Sequence, residues 1–138
     1  MLLFAAILIM ILAIAAVLPA TASEGENLRQ MLIARQSVQD VASAADEVFL
    51  SGEGASKTIW VELPSGFENT SSFIGNRTSS TAWKDRKLAD INMLSVGDIF
   101  AVSRAPMCGN WPTVSGRYLV NVTYNATTLP HVSVNAKC

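Results

Sequence analysis

The first eighteen residues, Met1 to Leu18, are apolar without exception, and no charge appears before Glu24. Leu, Ile, Met and Ala are good helix formers with no polar side-chain group to satisfy in lipid. The pattern predicts an apolar helix that either spans a bilayer, which takes about 20 residues for roughly 30 Å of hydrocarbon, or is buried among copies of itself. From Glu24 the pattern changes. Leu28, Met31, Leu32, Val38, Val41, Ala42, Ala45, Val48 and Phe49 recur mostly three and four apart, with Glu26, Arg29, Arg35, Gln36, Gln39, Asp40, Asp46 and Glu47 on the other positions. That spacing predicts an amphipathic helix over 24–50, continuing from the apolar one as a rod of about 70 Å.

Pro19 and Gly25 fall between the two halves. Proline removes a backbone donor and crowds the preceding turn, at about 3 kcal/mol in a helix interior, and glycine adds roughly 1 kcal/mol. A hinge is expected there in an assembled state. Gly52 and Gly54 then end the helix.

Beyond residue 55 the period changes from helical to alternating. Lys57–Leu63 places Ile59, Val61 and Leu63 on one side and Thr58, Trp60 and Glu62 on the other, which predicts a half-buried strand. Weaker strand signals lie at Ser71–Ile74, Ser79–Trp83 and Leu88–Met93, and a stronger one at Asp98–Ser103. Ala105–Gly116, with two prolines and two glycines, reads as an irregular loop. In Arg117–Tyr124, Tyr118, Val120, Val122 and Tyr124 share one face and Arg117, Leu119, Asn121 and Thr123 the other. A last strand carries Val132, Val134 and Ala136 on one face and runs into Cys138. The expected organisation is a helix over 1–50 (an apolar assembly or transmembrane segment, 1–18, and an amphipathic part, 24–50) and a β head over 55–138.

The net charge of −1 and scattered basic residues exclude an electrostatic footprint for nucleic acid. Cys108 and Cys138 stand thirty positions apart, which fits neither a zinc site nor a CxxC motif, so a disulfide is expected. Four Asn-x-Ser/Thr acceptors, at Asn69, Asn76, Asn121 and Asn125, point to N-linked glycans and an extracellular compartment. The strand phase puts Asn121 on the solvent side. The single histidine, His131, has no companion ligands, and no nucleophile, phosphate-loop or metal motif occurs. The sequence therefore predicts no catalytic residue, no metal site, no cofactor and no enzyme. Trp60, Trp83 and Trp111 read as packing residues, and Trp60, off the buried face of its strand, is expected to cover the helix or a neighbouring copy.

No Lys or Arg precedes the apolar run, where a signal peptide or anchor carries a basic region. Three readings stand: a signal peptide, for which Ala20-Thr21-Ala22 supplies a small-x-small cleavage site, a one-pass anchor, and the N-terminal helix of a filament subunit whose leader has been removed. The absent charge favours the third.

This layout resembles archaeal type IV pilins, the class III signal peptide family that has archaellin as a near relative. A narrower likeness lies in Ala44–Phe67 (AADEVFLSGEGASKTIWVELPSGF), which is similar to the junction in archaeal pilin-like proteins between an Ala-rich helix end, a Gly-x-Gly link and a first strand closing on Leu-Pro-x-Gly. Bacterial pilins carry glutamate at position 5, where this chain has Ala5. Hydrophobic packing is thus left as the assembly force, through Leu3, Phe4, Ile7, Leu8, Ile11, Leu12, Ile14 and Leu18. The resemblance implies an α+β pilin-like fold, a long hydrophobic and amphipathic helix followed by a small antiparallel sheet or β-sandwich head. It also implies a homopolymer at the cell surface, membrane-inserted before assembly and serving adhesion. A membrane-anchored monomeric binding module and an archaellin-like motility subunit are the alternatives.

Overall fold

The computed structural model describes residues 1–75, 87–126 and 131–135, without the side chains of 17–23 and 131. Helix α1, Leu2–Ser51, is followed by strands β1 (Ser56–Leu63), β2 (Phe73–Gly75), β3 (Leu88–Met93), β4 (Gly97–Val102), β5 (Met107–Gly109), β6 (Gly116–Asn125) and β7 (His131–Val134). The helix stops where expected. Gly52 takes φ 99°, a conformation costly for residues with a Cβ.

The expected fold class is corrected. Within α1 the described side chains are apolar without exception only as far as residue 16 and are mixed polar and apolar from Glu24 onward, so the chain is not a long apolar helix followed by a small sheet. Among the described residues no helix is long and apolar enough to cross a membrane. The strands form neither a small antiparallel sheet nor a sandwich. They form one curled, mixed, seven-stranded sheet in the order β1-β6-β7-β5-β2-β3-β4. Its parallel step is the β5–β7 pair, with Met107 opposite Val132 and Gly109 opposite Val134. The physical reason lies in what covers the sheet. The second half of α1 packs against both edge strands, β1 and β4, and against β6, β3 and β7 between them. A sheet curled around a helix needs no second sheet, because the helix supplies the opposing layer.

The core is thus shared. Ala34, Val38, Val41, Ala45 and Val48 of α1 meet Val61, Ile91, Met93, Met107, Val120, Val122, Val132 and Val134 of the sheet, all essentially without solvent contact. The small Ala and Val side chains let the strands approach the helix closely, and ring contacts close the lower end, where Phe49 meets Tyr124 edge to face at 5.1 Å. The helical stripe is covered only from Ala34 onward; Leu28 and Leu32, expected on the same stripe, are about half exposed.

The 105–116 segment is also corrected: it is not all loop, since it holds β5, which pairs β7 on one side and meets β2 through Ile74 and Gly109 on the other. Gly109 is required there. Its φ is +149°, and a Cβ would stand 2.2 Å from the carbonyl oxygen of Val134. The strand expected at Ser79–Trp83, with Trp83, and Ala136 of the last strand lie outside the described residues.

Candidate functional site

The second half of α1 uses its polar side chains to close the free edges of the sheet. An open edge strand is a row of unpaired backbone groups that invites foreign pairing. On the β1 side, Ser37 Oγ donates to the Glu62 carbonyl, and Gln30 Oε1 accepts from Ser65 N–H at 2.8 Å. On the β4 side, Asp46 Oδ1 accepts from Ser103 Oγ at 2.7 Å and from Arg104 N–H at 2.6 Å. Glu47, next to it, points elsewhere and pairs with Lys57. The two carboxylates serve different strands, and periodicity gives no hint of this, because each partner lies ten or more residues away.

The first stretch of α1 meets no such partner. Every residue from Met1 to Ala16 is exposed, with Leu3 at 76%, Phe4 at 77% and even Ile7 at 50%. Leu8, Ile11, Leu12 and Ile14 lie between these values. Leu18 and Pro19 lie outside the described side chains. The backbone of α1 is helical through Pro19 and Gly25, and a Cβ at Gly25 would meet nothing within 4 Å.

A second exposed region lies on the outer face of β1 and β6. The register sets Ser56 opposite Thr123, Thr58 opposite Asn121, Trp60 opposite Leu119 and Glu62 opposite Arg117. Asn121 therefore sits in a ladder of hydroxyls: its Nδ2 donates to Ser56 Oγ at 3.1 Å and to Thr58 Oγ1 at 3.4 Å, and its Oδ1 accepts from Thr123 Oγ1 at 2.7 Å. Trp60 and Leu119 follow at 54% and 56% exposure, and the Arg117 guanidinium lies 4.7 Å from the Trp60 ring centroid. Between Trp60 and the helix runs an open groove of about 390 Å³ with Arg29, Leu32, Ile33 and Gln36 on its other wall.

Of the other expected acceptors, Asn69 is exposed in a turn, and Asn125 is half-buried with its Nδ2 donating to Ser133 Oγ at 3.1 Å. Asn76 lies outside the described residues. Cys108 is buried and disulfide-bonded, and Cys138 lies outside the described residues. The side chain of His131 is likewise outside them. Trp111 is a core residue, 4% exposed, whose Nε1 donates to the carbonyls of Asp90 (2.8 Å) and Phe73 (3.2 Å). Behind it an open cavity of about 530 Å³ is lined by neutral polar side chains including Asn69, Ser72, Asn110 and Asn135. Among the described residues, no three His, Cys, Asp or Glu side chains stand close enough to share a metal ion.

The structure thus separates three features: a bare apolar helix stretch, a polar sheet face ending in the exposed Trp60–Leu119 pair, and a helix-buttressed core. Compared with known families, curated proteins and solved structures, this chain matches none.

Proposed function

We infer that this protein is the structural subunit of an extracellular filament, assembled through residues 1–18 of many copies and serving attachment to surfaces. The observation that carries the reading is the exposure of sixteen consecutive apolar residues around the whole circumference of the helix. At roughly 25 cal/mol per Å² of apolar surface, that stretch amounts to tens of kcal/mol of gross burial gained on leaving water. A sheet of the same chain covers one face of a helix, whereas a segment apolar all round requires neighbours all round. Copies of the same segment meet that need without placing a polar group against it. Before assembly the segment resides in the membrane. The reading rests on this stretch and its likeness to the archaeal pilin N-terminus, and not on a pilin fold.

Electron microscopy of material sheared from the cell surface, with the subunit identified by peptide mass, tests it. Filaments composed of this chain are the expected result. Recovery of the chain only as a membrane-bound monomer would overturn the reading in favour of a displayed binding module.

A further inference from the structure

The sheet face that carries Asn121 also carries an exposed apolar surface, with the Arg117 guanidinium over part of it. Trp60 and Leu119 face each other across β1 and β6, both more than half exposed, and Asn121 is the next residue of β6 on that face. In an antiparallel pair the diagonal neighbour lies about 7–8 Å away, within reach of long and aromatic side chains, so Trp60 and Asn121 are neighbours on this face. Arg117 flanks Leu119 on the opposite side, so the cation held over Trp60 and the acceptor amide lie at opposite ends of the Trp60–Leu119 pair.

We propose that Asn121 carries an N-linked saccharide whose first ring lies on the Trp60–Leu119 pair and shields it. This rests on the extracellular reading above, since the sugar donor and its transferase are met on export. In the transfer, Asn121 Nδ2 forms a bond to the anomeric carbon of a lipid-phosphate-linked saccharide. The carbon–oxygen bond to phosphate breaks, its electron pair leaves with the lipid phosphate, and one amide proton passes to a base of the transferase. The substituted amide keeps one N–H, enough to retain its bond to either Ser56 or Thr58.

One feature sets this asparagine apart from Asn69, which is exposed as well: a sugar placed on Asn121 meets the Trp60–Leu119 surface rather than water alone, with Thr123 on the same strand face. A pyranose presents C–H groups on one face, and an aromatic ring packs against such a face while the hydroxyls around the rim stay hydrated. Here the hydroxyls of Ser56, Thr58 and Thr123 continue the polar rim. Asn125 offers less, being half-buried and engaged with Ser133.

The test combines glycopeptide mapping of the native surface protein with hydroxyl-radical footprinting of Trp60 in wild type, Asn121→Gln, Thr123→Ala and Thr123→Ser. A saccharide on the Asn121 peptide is expected in wild type and Thr123→Ser only. Trp60 should oxidise about twofold faster or more in the two variants that lose it, as expected when a stacked ring is removed from an aromatic face. An unmodified Asn121, or Trp60 oxidation equal in all four proteins, would overturn the proposal; the second result would mean that no sugar covers the ring. A saccharide on Asn69 beside a bare Asn121 overturns it while leaving the extracellular reading intact. A saccharide on Asn121 in material that forms no filaments sustains it and refutes the filament.

Discussion

Two stretches of α1 are rich in apolar residues, and the chain treats them in opposite ways. Residues 1–16 are exposed throughout, while Ala34, Val38, Val41 and Ala45 have no solvent contact at all. The difference lies in shape and arrangement rather than in hydrophobicity. In the second stretch small apolar residues hold one face and Arg35, Gln39, Ser43 and Glu47 hold the other, so a single curled sheet covers everything that needs covering. In the first stretch large residues occupy every direction, and no one sheet reaches around them. Intramolecular folding covers the one-sided stripe and leaves residues 1–16 exposed.

Substitutions that touch only the covered region sharpen this contrast. The largest effect is expected from Gly109→Ala, because the new Cβ collides with the Val134 carbonyl at a backbone conformation alanine avoids. A loss of about 3 kcal/mol or more, seen as a lowered thermal midpoint, is expected from such strain and overpacking at the parallel step of the sheet. Val41→Ala removes two methyl groups from a fully buried position and should cost about 2 kcal/mol, by chemical denaturation. Asp46→Ala leaves Ser103 Oγ and the Arg104 N–H without their acceptor, and a loss of about 1–2 kcal/mol is expected. Hydrogen exchange should show that loss concentrated at the end of β4. The smallest effect is expected from Ile9→Ala in detergent-dispersed single chains, within about 0.5 kcal/mol of wild type, because Ile9 is 70% exposed and touches no core. A loss near 2 kcal/mol at Ile9 would break the comparison by showing that the chain buries this stretch itself.

The elements with a long local period were legible in the sequence. Ile59, Val61 and Leu63 face inward as the alternation of β1 required, and so do Val120 and Val122 of β6, which leaves Trp60, Leu119 and Asn121 outside. The end of α1 at Gly52 was legible because only a few residue types tolerate a positive φ. The strand order was not. It turns on β2 and β5, three residues each, too short to carry a period, and β5 sits in a segment whose prolines and glycines signal a loop. Its assignment comes from pairing with β7, twenty-five residues on, and non-local pairing leaves no local trace. The small antiparallel sheet or sandwich was expected from the pilin resemblance and is not found; the layer that opposes the sheet is the helix. At the candidate sites, the sequence showed the uncharged run of 1–18 and the sequon at Asn121. It did not show the Trp60–Leu119 pair beside that sequon, which depends on the β1–β6 register.

In the proposed filament other copies cover residues 1–16, which are bare in the single chain. A photo-activatable residue in place of Leu8, 58% exposed and remote from the core, tests this most directly in native surface material. Cross-links from position 8 to residues 1–18 of another copy, identified by peptide mass, are expected, as is their disappearance when Ile9 is also changed to Asp, which sets an unpaired carboxylate in a dry interface. Cross-links confined to lipid, or to the sheet of the same chain, would contradict it.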